Sequence, residues 1–222
     1  MNSLEREIRR LTTPINGQYP RPWMTADTDP ATVEVFIVGR NQKNGYPVDQ
    51  VGSQDDYIDA LFNRNGRSCR GLHDRIAGSP SPTRRNSDAL VGILAGKGVS
   101  RTVETNVICY SSRMSGDLGR AEHKGGKHRG KEIFAVLLEL IRPRVIIAHG
   151  SATLDDLSDV LDTPLPGPPG SAETVISAGV AGVTVYPIPS LAPPASNMWH
   201  KWRGEYLDRL ADDVARTLAG PG

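Results

Sequence analysis

VEVFIVG, at residues 33–39, is a run of apolar and β-branched residues that ends in a glycine and passes directly into the polar triplet RNQ at 40–42. Three further runs share this character: TVETNVICYS (102–111), RVIIAHG (144–150) and GVTVYPIPS (182–190). Short apolar runs that end in glycine or polar residues are typical of buried strands. The sequence therefore predicts a central, mostly parallel sheet of four strands.

Helical patterns lie between these runs. They cover roughly 54–65, 85–97, 130–141, 151–161 and 200–218. Apolar residues recur every three or four positions in the third and last of them, as on the buried face of a helix. Strands that alternate with helices favour an α/β fold, specifically a three-layer α/β/α sandwich.

The length of 222 residues suits one well-buried domain. We expect an N-terminal arm over 1–31, where Pro and Thr are frequent, lying on the surface. The single α/β domain is then predicted over 32–222.

The composition is ordinary for a globular protein, with 38% apolar and 23% charged residues. No run approaches the ~20 apolar residues of a membrane span, so no membrane partner is expected. The opening MNSLEREIRRLTT carries charges of both signs, and Cys69 and Cys109 are the only cysteines. We therefore expect a monomer in the reducing cytoplasm.

The formal net charge of +1 gives no global signature of a nucleic-acid binder. The segment HKGGKHRGK at 123–131, however, contains no acid. It is either a solvated face or a surface that contacts phosphates. Its glycines favour the second interpretation, because flexible backbone can also present N–H donors to an anion. Lys124, Lys127 and Arg129 are therefore predicted to contact DNA phosphates.

Polar residues stand where several predicted strands end, which is where open α/β sheets bind ligands. Asn41 follows the first strand, Asn106 lies within the second, and Ser190 follows the last. Gly39 and Asn41 also suit an ordinary turn, whereas a buried Asn106 needs a hydrogen-bond partner. Neither a P-loop nor a dinucleotide fingerprint follows the first strand.

In their order along the chain, these segments resemble the motifs of the uracil-DNA glycosylase superfamily. Gly39-Arg40-Asn41 resembles the G-x-N-P-G motif of its mismatch-specific and thymine-glycosylase branches, and Ile188-Pro189-Ser190 resembles its x-P-S motif. Thr105-Asn106-Val107 resembles the strand whose Asn reads the flipped base, and 141–150 resembles a further strand of the family. The resemblance covers about 35 to 190.

The resemblance implies a monofunctional DNA glycosylase, which flips a pyrimidine out of DNA and hydrolyses its N-glycosidic bond, leaving an abasic site. Asn41 would position the hydrolytic water, and Asn106 would hydrogen-bond the pyrimidine. Pro189 and Ser190 would grip the flanking phosphates. The loop 191–197, with Ser196 and Asn197, would enter the groove that the base vacates. No metal or other cofactor is implied, and the four cysteines of a cluster-bearing branch are missing.

Two departures from the family pattern concern the chemistry. Ile188 replaces the His of the H-P-S form, so stabilisation of the leaving base must come from another donor. The expected donors are Ser111, Ser112, His123 and His128. His149, at the end of a buried strand, is interpreted as a structural histidine.

The base pocket is the second departure. Gln42 replaces the motif proline, and Lys43 stands where strict uracil enzymes have an aromatic residue that excludes C5 substituents. We therefore expect Gln42, Lys43 and Tyr46 to recognise a C5-modified cytosine. Glucosylated hydroxymethylcytosine of phage DNA is an example, which makes the expected role antiphage defence. The alternative is uracil or mismatch repair.

Two further alternatives come from other classes of protein. A nucleotide- or DNA-binding α/β module without hydrolytic activity would have the same fold. An enzyme for free nucleosides or small glycosides commonly uses paired carboxylates. The critical strand-end positions contain neither Asp nor Glu, since Asp49 and Asp117 lie farther along.

Overall fold

Strands and helices alternate along the chain, and the computed structural model describes residues 2–26 and 29–220. The helices are α1 (Ser3–Leu11), α2 (Val48–Val51), α3 (Gln54–Leu61), α4 (Cys69–Ala77), α5 (Pro82–Gly96), α6 (Gly126–Ile141), α7 (Ser151–Leu161), α8 (Ala195–Met198) and α9 (Arg203–Ala219). The strands are β1 (Gln18–Tyr19), β2 (Val35–Gln42), β3 (Tyr46–Pro47), β4 (Thr102–Ser111), β5 (Val145–His149), β6 (Ala178–Val180) and β7 (Val183–Ile188). The five predicted helices are present, whereas α1, α2, α4 and α8 were not predicted.

The central sheet is mostly parallel and has the strand order β4-β2-β5-β7-β6, so the predicted α/β class is confirmed. β2, β5 and β7 run parallel. β2 is the strand at which the order reverses, because β4 lies on one side of it and β5 on the other. In open α/β sheets, ligands bind outside the carboxyl ends of strands at such a reversal. Asn41 and Gln42 are the last residues of β2.

The prediction of four strands was wrong, because the sheet has five. The fifth, β6, has three residues and pairs antiparallel with β7. Ala181 and Gly182 join the two strands, with φ of 50° and 82°. Left-handed backbone at both positions suits a tight hairpin, but the first is usually Asn, Asp or Gly. Alanine there conceals the turn from sequence reasoning.

The chain divides into two compact units. Unit 1 comprises the described residues within 1–33, together with 39–79 and 103–142. Unit 2 comprises 34–38, 80–102 and the described residues from 143 onward. The single domain over 32–222 stays a prediction.

The N-terminal segment of unit 1 does not lie on the surface as the predicted arm. Helix α1 buries Leu4, Ile8 and Leu11, which follow each other at intervals of four and three residues. Trp23 is buried as well, and its Nε1 donates to the carbonyl of Leu61. The sequence did not lead to a prediction of this helix, because its three apolar residues are separated by charged ones.

The core of unit 2 lies against one face of its strands. Val145 and Ile147 of β5 share this face with Tyr186 and Ile188 of β7. Alternate residues of a strand point to the same side, so each strand places one set of side chains here. The helix residues packed against them are Leu90 and Leu94 of α5 and Leu207, Leu210 and Val214 of α9.

Among the helices of the described residues, none combines the length and the apolar character that crossing a membrane requires.

Candidate functional site at the carboxyl end of β2

Asn41 is held by two serines of the loop that follows β4. Its Nδ2 donates to Ser112 Oγ at 3.0 Å and to the carbonyl of Gln42 at 3.3 Å. Its Oδ1 accepts a hydrogen bond from Ser115 Oγ at 2.6 Å. Both ends of the carboxamide are therefore fixed, which an ordinary turn residue does not require.

The loop that holds Asn41 is itself fixed by hydrogen bonds. Ser112 Oγ donates to the carbonyl of Met114 at 2.8 Å, and the N–H of Met114 donates to Asp117 Oδ2 at 3.0 Å. Asp117 is buried and pairs with the exposed Arg120. Sequence reasoning set Asp117 aside as too far from the strand end, because it did not foresee that residues 115–119 form a 3-10 turn.

The possible chemistry of Asn41 depends on which of its hydrogen-bond donors and acceptors are unoccupied. The two Nδ2 hydrogens are used by Ser112 and Gln42, while Oδ1 has two lone pairs, of which Ser115 occupies one. The second lone pair can accept a hydrogen bond from water. An amide does not take up a proton at neutral pH, so this side chain can position a water molecule but cannot act as a general base.

Two of the residues expected to recognise the base are enclosed. Gln42 is buried and donates through Nε2 to the carbonyl of Arg21 at 2.8 Å. Tyr46 is only 1% exposed, with the guanidinium of Arg21 5.2 Å from its ring centre and the ring of Tyr57 at its edge. The prediction that Tyr46 recognises the base is therefore wrong for this conformation, since the ring has no open face. Lys43 is exposed.

Asn106 is not brought to Asn41. It lies inside β4, six residues before Ser112, and an extended strand of that length spans about 20 Å. Its side chain is half-buried on the strand. The expectation that both residues act on one nucleotide came from the resemblance to the glycosylase motifs, whereas Asn106 lies within β4, which continues to Ser111.

Most of the expected leaving-group donors have other partners. Ser111 Oγ donates to the carbonyl of Asn44, and Ser112 Oγ donates to that of Met114. His123 Nδ1 shares a hydrogen bond of 3.1 Å with the hydroxyl of Tyr110. Of the four, only His128 is exposed, on α6.

The glycines of the basic segment serve packing. A Cβ at Gly126 would lie 2.4 Å from the ring of Tyr110, and one at Gly130 would lie 2.9 Å from the backbone nitrogen of Cys109. These glycines therefore allow α6 to lie against β4, which corrects the expectation that they make a flexible phosphate loop.

The cations of the same segment divide into two kinds. Lys124 and Lys127 are exposed at the start of α6. Arg129 instead donates to the carbonyl of Leu11 and pairs with Glu132, so it ties α6 to the end of α1. The first turn of α6 has neither an acidic residue nor a side-chain cap. Its free N–H groups and the two lysines together favour an anion.

The residues expected to contact DNA in unit 2 differ in exposure. Pro189 and Ser190 are half-buried after β7, and Ser190 Oγ accepts from the N–H of Ala192. Ser196 is 1% exposed, so its predicted DNA contact is wrong, whereas Asn197 is exposed.

The segment expected to enter the groove does not present its leucine. Leu191 is fully buried, in the core of unit 2. Met198, at the end of α8, is 86% exposed. It is a large, exposed apolar side chain that directly follows this segment.

The surroundings of His149 were not foreseen from the sequence. Its Nδ1 is buried without a hydrogen-bond partner, which a structural histidine would normally have. Burial, with a smaller effect of Arg84, lowers its pKa to about 4.

The described residues contain no cluster of three or more His, Cys, Asp or Glu side chains that could hold a metal. Cys69 and Cys109 are both buried, and neither forms a disulfide in the described part of the chain. Burial raises the pKa of the Cys109 thiol to about 11, so it stays protonated at neutral pH.

Comparison with protein-family models and with curated proteins finds no match to this chain in either set.

Proposed function

We propose that this chain is a DNA glycosylase, which extrudes a pyrimidine from DNA and hydrolyses its N-glycosidic bond to leave an abasic site. In this proposal the helices cover both faces of the sheet in the three-layer arrangement of the uracil-DNA glycosylase superfamily. The substrate is a C5-modified cytosine such as glucosylated hydroxymethylcytosine, and the role is defence against phage. The alternative is that the same reaction removes uracil or a mismatched base during DNA repair.

The observation that carries the proposal is the fixed carboxamide of Asn41. Asn41 is the second-last residue of β2, the strand at which the sheet order reverses. Ser112 and Ser115 form hydrogen bonds with the two ends of its carboxamide. The transition state of glycosidic hydrolysis is a sugar cation beside a departing base anion. Fixed dipoles stabilise such charges without reorganising during the reaction. A water held on Asn41 Oδ1 would attack the anomeric carbon.

The start of α6 supports DNA as the partner. Lys124 and Lys127 flank free N–H groups at the positive end of a helix of 16 residues. Phosphates are commonly bound in this way. The carbonyl of Lys124 accepts from Asn16, which fixes the backbone at this point.

Lys43 supports the choice of a modified base. It is exposed directly after Gln42, and no aromatic ring occupies its position. A C5 substituent would therefore meet a flexible, hydrogen-bonding side chain instead of a steric barrier. The monomeric state and the cytoplasmic location stay predictions.

The test is strand cleavage by alkali after incubation with end-labelled duplexes. Each duplex contains one uracil, one hydroxymethylcytosine or one glucosylated hydroxymethylcytosine at a defined position. Cleavage at that position supports the proposal and identifies the base. Asn65→Ala is the control for Asn41→Ala, because Asn65 is exposed and its Nδ2 donates to Asp59 Oδ2, away from Asn41. DNA binding without cleavage of any duplex would instead support the non-catalytic module.

A further inference from the structure

Arg21 is buried in unit 1 without an opposite charge beside it. The residue is only 9% exposed, and it forms no ion pair within the described residues 2–26 and 29–220. The ionisable side chains that act on it electrostatically are two phenols and a thiol, those of Tyr46, Tyr57 and Cys69. Such groups are ordinarily neutral at pH 7, whereas a guanidinium is always charged. Arg21 is therefore a buried cation for which the described protein supplies no counter-ion.

The contacts of Arg21 hold its guanidinium in a defined orientation. The central carbon of the group lies 5.2 Å from the centre of the Tyr46 ring, and Nη1 donates to the Tyr46 hydroxyl at 3.4 Å. On the main chain, the N–H of Arg21 donates to the carbonyl of Cys109, and the carbonyl of Arg21 accepts from Gln42 Nε2. Because backbone and side chain are both held, a ligand that binds here orders little more of the protein.

The edge of the guanidinium that does not meet Tyr46 is unoccupied. Nε and Nη2 form no hydrogen bond in the described part of the chain, and neither is among the enclosed atoms that lack a partner there. Both nitrogens therefore keep access to solvent, although the residue as a whole is buried. The Nε–H and Nη2–H bonds of an arginine point side by side, which is the arrangement that binds two oxygens of one carboxylate or phosphate group.

We propose that Arg21 is the centre of a binding site for a small oxyanion, a carboxylate or phosphate group that places two oxygens on Nε and Nη2. The anion supplies the opposite charge that a buried cation requires. The small exposed fraction of the residue favours a free anion over a phosphate that is flanked by two sugars in DNA. This site lies within unit 1 and does not depend on the proposed glycosylase function.

The test is thermal unfolding of the wild-type protein in sodium phosphate and in sodium acetate, at an ionic strength kept constant with sodium chloride. A ligand that binds only the folded state raises the unfolding midpoint. At about five times its dissociation constant, the rise should be about 2–4 °C. Sodium chloride alone controls for the screening of charges.

Arg21→Met assigns the response to this residue, because methionine is of similar length and can pack on Tyr46 without a charge. The variant should lose the response to both anions. Without them it should unfold at the wild-type midpoint or above it, since an uncompensated charge is no longer buried. Arg75→Met, at an exposed arginine of α4 in the same unit, is the matched control and should keep the response.

Arg21→Lys retains the charge but lacks the paired N–H edge, so it should bind the anion about tenfold more weakly. It also keeps the inference testable if Arg21→Met does not fold. An unchanged wild-type midpoint in both anions would overturn the inference. So would an equal response of the wild type and either Arg21 variant, because the anion would then bind elsewhere. A response that depends on Arg21 but arises with duplex DNA alone would overturn the choice of a small anion.

Discussion

The side-chain nitrogen of Asn41 donates to Ser112 Oγ at 3.0 Å, which joins the end of β2 to the residue that follows β4. Ser115, from the same loop, bonds the other end of the amide. The orientation of Asn41 is therefore set by side chains 71 and 74 residues away in sequence. A water molecule bound to Asn41 is therefore held in a defined position.

Replacing Asn41 with alanine should lower the rate of base release by about 10²–10³, because a positioning dipole is lost. It should also lower the free energy of unfolding by about 1–2 kcal/mol, because hydrogen bonds to two serines are lost. Single-turnover rates and urea unfolding measure the two effects. Base release at the parental rate by the folded variant would exclude Asn41 from the chemistry.

Ser115→Ala provides a graded version of the same experiment. It removes one contact of Asn41 and leaves the contact with Ser112. A single neutral hydrogen bond contributes about 1 kcal/mol, so a decrease in rate of about fivefold is expected.

Lys124→Gln combined with Lys127→Gln should weaken DNA binding equally for all sequences. Both lysines are exposed beside the uncapped start of α6. Removing two phosphate contacts should reduce the slope of log affinity against log salt by about two. Fluorescence anisotropy at several salt concentrations measures the slope, and an unchanged slope would make this segment an ordinary solvated face.

Arg129→Gln is the matched control for that pair. Arg129 is bound to Leu11 and Glu132, so its loss should destabilise the fold by about 1 kcal/mol and leave the salt slope unchanged.

The strands of the sheet could be predicted because each is a local apolar run with a polar end, as at 33–39 and 144–150. Strand β6 could not be predicted, since it has only three residues and the turn that follows it begins with alanine. Likewise, α1 was overlooked because six of its nine residues are charged or polar. Local patterns predict an element only when it is long enough to repeat its period.

The site could be predicted only in part, because burial depends on elements distant in sequence. Asn41 was identified from its place at a strand end. Tyr46 was expected to meet a base, yet Arg21 and Tyr57 enclose it. The partner of His149 in the sheet depends on strand order, which one sequence does not reveal.

Lys43→Tyr should selectively suppress the release of C5-substituted pyrimidines. Lys43 is exposed, so a tyrosine there can project over the base without displacing the core. Release of uracil should be similar or faster. Competition between the two substrates in one reaction measures the selectivity, and an unchanged ratio would mean that the pocket lies elsewhere. Lys201→Tyr, at another exposed lysine, controls for a general effect of an added ring.

The last prediction concerns stability and needs no substrate. His149 has a pKa of about 4 in the folded protein, against 6.5 for a free histidine. Below pH 6.5 the histidine is protonated in the unfolded chain but stays neutral in the folded protein. The free energy of unfolding therefore decreases as the pH is lowered, until the pH reaches the pKa of the folded state. The full loss is about 3 kcal/mol, of which about 2 kcal/mol is expected between pH 7.5 and pH 5. Urea unfolding at the two values measures it. His149→Phe has no proton to take up here, so its stability should fall by about 2 kcal/mol less over the same range, while all carboxylates contribute equally to both proteins. Identical pH dependence of the two proteins would mean that the ring of His149 is not shielded from water, and its unpaired Nδ1 would then carry no information about a ligand.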